Sequence, residues 1–168
     1  RAMAALQARE RPDAHLVLVG SGALEHELRQ ECDRLHLGAR VHFAGEQRMP
    51  SDFIAASDVA VLSSCGGEGQ SNFLIEALAL GTPIVATRVG GNAEVLAGTD
   101  SVLVPPNSPG DLAAGLDRAL AADRSTAARE LRKQAALRFD IDHSVAALAG
   151  VYRSIAAPKT GAQAAMSG

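Results

Sequence analysis

The sequence holds 168 residues, 47% of them apolar, and its 16 basic and 19 acidic side chains leave a formal net charge of -3. That length suits one domain with a sizeable core, but with only 3% aromatic residues the interior must be filled by Ala, Leu and Val, which favours layered α/β packing. The charges are mixed along the chain, which argues against nucleic acid as a partner, and the apolar runs fall far short of the roughly 20 residues of a membrane span.

The chain opens in a helical pattern, RAMAALQARE, with no strand before it. A doubly wound sheet usually begins with a strand, so the sequence is expected to be a fragment truncated at its N-terminal edge. HLVLVG at 15–20 then reads as a strand and Ala23 to His36 as a helix. RVHFAG at 40–45 precedes a helix from Pro50 to Ala56, and DVAVLSS at 58–64 precedes one from Ser71 to Leu80. TPIVATRVGG at 82–91 leads into a short helix, Asn92 to Leu96, and SVLVPP at 101–106 leads into Pro109 to Ala122. Short β-branched runs alternating with helices predict right-handed βαβ units and a Rossmann-like parallel sheet flanked by helices on both faces. Beyond Asp123 the pattern is purely helical, Ser125 to Arg138 and then Asp140 to Ile155, the second with Ile141, Val145, Leu148, Tyr152 and Ile155 recurring at helical spacing. Residues 157–168, APKTGAQAAMSG, read as a flexible tail, leaving 1–156 as the folded domain. No signal-peptide pattern opens the chain, and a cytoplasmic location is expected.

The chemistry concentrates in SSCGGEGQSNFLIEALALGTPIVATRVGG, 63–91. The glycines around Glu68 allow a tight turn where backbone can approach a ligand. A helix starting near Ser71 leaves the first N–H groups, Gln70 to Phe73, without intrahelical partners at the positive end of the dipole, a ready anion site suited to a diphosphate. Glu76 lies five residues further on, about 7.5 Å along the axis. Phe73, Leu74, Ile75, Ala77, Leu78, Ala79 and Leu80 surround it in sequence, so the helix is expected to be buried nearly all round and Glu76 to need a dedicated partner. Two readings compete for that partner: an internal donor, or a pair of ligand hydroxyls at the end of a cleft. Glu68 alone reads as a solvated turn residue.

Other features fit ordinary structural roles. VGSGALE has a Gly20-x-Gly22 pair but Glu25 where a dinucleotide fingerprint needs its third glycine. Asp140 and Asp142 sit at a helix start, where they cap free amides. His15, His26, His36, His42 and His143 show no metal-ligand spacing, and Cys32 and Cys65 read as reduced thiols, Cys65 having a weak alternative as a nucleophile. Gly90, Gly91 and Glu94 could line a cleft at a strand end, though a turn into a short helix explains them equally well, and Arg48 could reach a phosphate but reads by default as a solvated loop charge.

The combination of Gly-Gly-Glu at 66–68, Glu68 and Glu76 with seven residues between them, GTPIVAT at 81–87 and Gly90-Gly91 resembles the signature of the family-4 retaining glycosyltransferases. Their GT-B fold pairs two Rossmann-like domains. PDAHLVLVGSG, ARVHFAGEQ, ASDVAVLSS, SVLVPPNSPGDLAAGL and RFDIDHSVAALAGVYRSI are similar to successive elements of that family's C-terminal, donor-binding domain, so the resemblance covers essentially the whole chain. It implies transfer of a sugar from a nucleoside diphosphate sugar to an acceptor with retention at the anomeric carbon, and no metal or other cofactor. Glu68 would contact hydroxyls of the transferred sugar as the catalytic-site carboxylate. Glu76 would hold the ribose, and the amides around Gly69, Gln70, Ser71, Asn72 and Phe73 would cradle the diphosphate. Gln47 would lie against the base, and Gly20 and Gly22 would face the cleft. The family's Arg and Lys upstream of this segment, and its acceptor-binding N-terminal domain, do not occur in the sequence. The fragment is therefore expected not to turn over alone, and peripheral membrane association belongs to the full-length enzyme. A sugar-nucleotide epimerase of similar architecture and a non-catalytic nucleotide-binding module are the alternatives.

Overall fold

The computed structural model describes residues 1–9, 11 and 13–156, so the tail expected at 157–168 lies outside the described residues. They divide into two compact units, 1–136 and from Leu137 onward.

In the first unit, α1 (Ala2–Gln7) precedes β1 (Leu16–Val19), α2 (Glu25–Arg34), β2 (Val41–Gly45), α3 (Pro50–Ala56), β3 (Ala60–Leu62), α4 (Asn72–Leu80), β4 (Ile84–Thr87), α5 (Asn92–Val95), β5 (Val102–Val104), α6 (Pro109–Leu120) and α7 (Thr126–Ala136). Each expected strand and helix of this region is present, and all strand pairs are parallel. The fold is α/β, with parallel sheet flanked by helices. The strands form two hydrogen-bonded groups, β1-β2 and β3-β4-β5, where one sheet was expected. The α3 crossover carries the chain out of the first group and delivers it to the edge of the second.

Burial follows strand position. β4, central in its group, is buried at every residue, as its unbroken Ile-Val-Ala-Thr run requires. β1 alternates: Leu16 and Leu18 pack on the core, while Val17 (44%) and Val19 (38%) remain exposed. The expectation of two covered faces thus holds at β4 and fails at β1. Met3 and Leu6 of α1, Val41, Val85, Val104, and Ala113, Leu116 and Ala119 of α6 form one cluster, against which residues of both strand groups pack. Each fully buried Leu or Val contributes on the order of 1.5 to 3 kcal/mol.

The opposite layer is α4 packed on α3 and α7. α4 ends at Gly81 (φ 73°), where Gly81 N donates to Leu78 O (2.8 Å) and Thr82 N to Ala77 O (3.0 Å), a Schellman pair that turns the chain into β4. From α7, the buried Arg132 donates to both oxygens of Asp100 (2.9 and 2.5 Å), to Gly81 O (3.2 Å) and to Asp123 O (2.8 Å). Its charge is therefore paired and its donors used where burial would otherwise be costly.

The second unit comprises a 3-10 turn, Leu137–Phe139, and α8 (Ile141–Ala156). Asp140 Oδ1 accepts from Asp142 N (2.8 Å), the capping role expected there. Ile141, Val145, Leu148, Tyr152 and Ile155 are exposed. Among the described residues no helix is long and apolar enough to cross a membrane.

Candidate functional site

Parallel strands place the loops that follow them at one edge of their sheet, where α/β proteins hold ligands. The loops after β1 and β2 form one pair. Gly20 N donates to Gly45 O (2.7 Å) and Ser21 Oγ to Glu46 Oε1 (2.9 Å), while Gly22 O accepts from Glu25 N (3.1 Å) as α2 opens. Gln47 turns its Nε2 back onto Ala44 O (2.6 Å), within its own loop. Arg48 is exposed.

The loops after β3 and β4 form the second pair, and they are in backbone contact. Gly91 N donates to Gly69 O (3.0 Å). A Cβ added at Gly90, where φ is +48°, would lie 1.7 Å from the carbonyl oxygen of Glu68, and one added at Gly91 would lie 2.5 Å from that of Gly69. Only glycine lets these two turns meet, which is the reason for the Gly-Gly at this point. The Glu68 carboxylate is half-buried and accepts a 2.5 Å hydrogen bond from Ser64 Oγ on Oε1. Among the described residues, no hydrogen bond joins this pair of loops to the first, so Gly20, Gly22 and Gln47 sit in one group and Glu68 through Glu76 in the other.

α4 rises directly from the Glu68 turn. Its cap residue Ser71 is buried but makes no side-chain cap bond. The N–H groups of Gln70, Ser71, Asn72 and Phe73 have no acceptor among the described residues, so the donors at the positive end of the helix are unpaired. Glu76 requires a correction. It is exposed and has no hydrogen-bonded partner among the described residues, so the burial expected from the sequence is not found, and of the two partners considered the internal donor is not present. α4 buries Leu74, Ala77 and Leu78 and leaves Asn72, Glu76 and Ala79 on its open side.

Three residues near this site were not singled out in the sequence. Thr87 Oγ1 donates to Ser64 O (2.6 Å), and the fully buried Asn92 donates from Nδ2 to Thr87 O (3.0 Å), its Oδ1 remaining buried without a partner. The only advance signal was a polar residue closing each of two apolar runs. His15 and His42, read as separate, stack with ring centroids 5.2 Å apart and Nδ1 2.9 Å from Nε2, because β1 and β2 run in parallel register. Cys65 is an exposed free thiol, and Glu94 is exposed. Among the described residues no three His, Cys, Asp or Glu side chains converge as a metal-binding group.

Comparison with known proteins gives concordant matches. The family model described as "Glycosyl transferases group 1" matches residues 1–122. The D-inositol 3-phosphate glycosyltransferase 2 of Catenulispora acidiphila is 38% identical over 169 residues, a match spanning 92% of this chain and 39% of that protein. The crystal structure of Anabaena Alr3699/HepE in complex with UDP superposes with a TM-score of 0.79 at 27% identity, over 91% of this chain and 44% of that one. The same protein in complex with UDP-glucose gives 0.75. Sucrose-phosphate synthase from Thermosynechococcus elongatus gives 0.78 at 25% identity, over 92% of this chain and 41% of that one. The chain thus spans less than half the length of each of these proteins.

Proposed function

The chain belongs to the group 1 glycosyltransferases, and we propose that it is the donor-binding part of an enzyme that moves a sugar from a nucleoside diphosphate sugar to an acceptor with retention at the anomeric carbon. The observation that carries this reading is the row of unpartnered N–H groups from Gln70 to Phe73, at the start of α4 and beside the half-buried Glu68. A diphosphate is the ligand whose charge and size suit that row. Each charge-assisted bond there contributes about 1.5 to 3 kcal/mol, and the same donors stabilise the negative charge that grows on the diphosphate as the glycosidic bond breaks. Glu76, one and a half turns along the same helix and open to solvent, is available to accept from ribose hydroxyls. Glu68 accepts from hydroxyls of the transferred sugar. Gln47, Gly20 and Gly22 border the base and the far side of the cleft. The HepE crystal structures, in complex with UDP and with UDP-glucose, support the ligand class. Metal-free chemistry, an acceptor held by a further domain, and loss of turnover in the isolated chain complete the proposal and rest on the family resemblance.

An amide-proton NMR titration of the chain with UDP, GDP, ADP and NAD tests it. One nucleoside diphosphate should shift the resonances of residues 70–76, and NAD should not. Absence of shifts with every nucleotide in a folded sample would refute the donor site. Glu76→Gln should weaken diphosphate binding about tenfold, the loss of one charge-assisted bond. Glu68→Gln should leave it unchanged.

A further inference from the structure

The Glu68 carboxylate does not stand alone. Asn92 Nδ2 donates to the carbonyl of Thr87 (3.0 Å), Thr87 Oγ1 donates to the carbonyl of Ser64 (2.6 Å), and Ser64 Oγ donates to Glu68 Oε1 (2.5 Å). At each step a side chain fixes the next residue, so the buried start of α5 is linked through the end of β4 to the carboxylate. The placement follows from the strand register. The last paired residues of β3 and β4 are Leu62 and Ala86, so the backbone ladder holding β3 stops two residues before Ser64. Thr87, the next residue on β4, continues the hold with its hydroxyl. On the far side of the turn, Gly91 N fixes Gly69 O (3.0 Å).

We propose that Ser64, Thr87 and Asn92 are positioning residues for the sugar-binding carboxylate: Ser64 occupies Oε1 and thereby presents Oε2 of Glu68 to a hydroxyl of the transferred sugar. This inference rests on the donor-site reading above. Oε2 has no hydrogen bond among the described residues, and Glu68 is only half-buried, so the second oxygen is available to a ligand while the first is committed. A carboxylate with both oxygens free would sample several rotamers and lose side-chain entropy on binding sugar; one already held by Ser64 loses less. A hydroxyl suits the task because it donates to the carboxylate without bringing a charge into the sugar site.

Two measurements on this chain separate the hold from the sugar contact. In the ligand-free protein, three-bond couplings of the Glu68 side chain should report one rotamer in wild type and in Ser64→Thr, and averaging in Ser64→Ala. Thr87→Val should also average the Glu68 side chain, with Thr87→Ser restoring it. An unaveraged Glu68 in Ser64→Ala with intact amide dispersion would overturn the proposal whatever the ligand does. Titrations with UDP, GDP and ADP and with their glucose or mannose conjugates then read the preference for the conjugate. Ser64→Ala should reduce that preference about fivefold, one net hydrogen bond's worth, with the affinity for the bare diphosphate unchanged and Ser64→Thr restoring it. Equal weakening of both ligands would show a merely structural role and overturn the positioning assignment. If wild-type chain shows a single Glu68 rotamer released by Ser64→Ala but no preference for any conjugate, the hold stands and the assignment of Glu68 to the sugar fails.

Discussion

Gly90→Ala is the sharpest test of how the site is assembled, because its cost follows from one distance. The added Cβ would lie 1.7 Å from Glu68 O and 2.7 Å from Glu68 C, and these are backbone atoms that cannot swing aside. The Glu68 turn, or the Gly90-Gly91 turn, must retreat by more than an ångström, which breaks the Gly91 N to Gly69 O bond at 3.0 Å. Two terms add. The left-handed backbone at φ +48° costs an L-residue about 1 to 2 kcal/mol, and overpacking of this kind costs about 1 to 3 kcal/mol more. Gly98 provides the control: its φ is +75°, and a Cβ there would meet nothing within 4 Å. Urea unfolding followed by circular dichroism should therefore give a loss of about 1 to 2 kcal/mol for Gly98→Ala and about 2 to 5 kcal/mol for Gly90→Ala. Amide shift changes in Gly90→Ala should extend to residues 68–70 across the contact. Equal losses in the two variants, with no shift changes at 68–70, would refute the docking of the two turns and with it the placement of Glu68 that depends on that contact.

Arg132→Met should destabilise the chain by about 3 kcal/mol in the same assay, since it leaves Asp100 and the carbonyls of Gly81 and Asp123 without their buried donor. By contrast, Arg124→Ala, which removes the solvent-exposed pair with Asp58, should cost less than about 1 kcal/mol; a loss as large as that of Arg132→Met would contradict the burial argument. Glu31 sits between Arg34 and Arg1, whose hydrogen bonds lower its pKa from 4.5 to about 2. The folded value is depressed, so its stabilising contribution is present above pH 4.5 and fades as pH falls toward 2. A carbon-detected carboxyl titration should place the Glu31 midpoint near 2 and, in Arg34→Ala, closer to 4.5; a wild-type midpoint at 4.5 would dismiss the pairing.

The fold was largely legible because its signals are local. α3 spans Pro50–Ala56, the range expected from sequence, because a proline at the first helical position marks where the helix starts. β4 was recognisable as a central strand because a strand buried on both faces must be apolar at consecutive positions. The division into two strand groups was not legible. Which edges pair is decided by contacts distant in sequence, and the runs at 15–20 and 58–64 look alike whether or not they lie side by side.

The site was legible in composition and misread in orientation. Glu76 was placed in a buried helix because its neighbours in sequence are apolar, yet burial depends on angle. At about 100° per residue, Leu74, Ala77 and Leu78 fall on one side of α4, while Asn72, Glu76 and Ala79 recur at four and three residues on the other. The glutamate therefore lies opposite the core, on the same face as Asn72 at the start of the helix. A carboxylate there needs no internal partner, which removes the argument that burial alone demanded a ligand and leaves the unpartnered amides of 70–73 as the stronger indication. Glu68 reverses the pattern. Alone it reads as a solvated turn residue, yet it is bonded by Ser64, four residues away, whose own carbonyl accepts from Thr87, 23 residues further along the chain. Local sequence supplied the carboxylate and the glycines around it; strand register supplied its orientation.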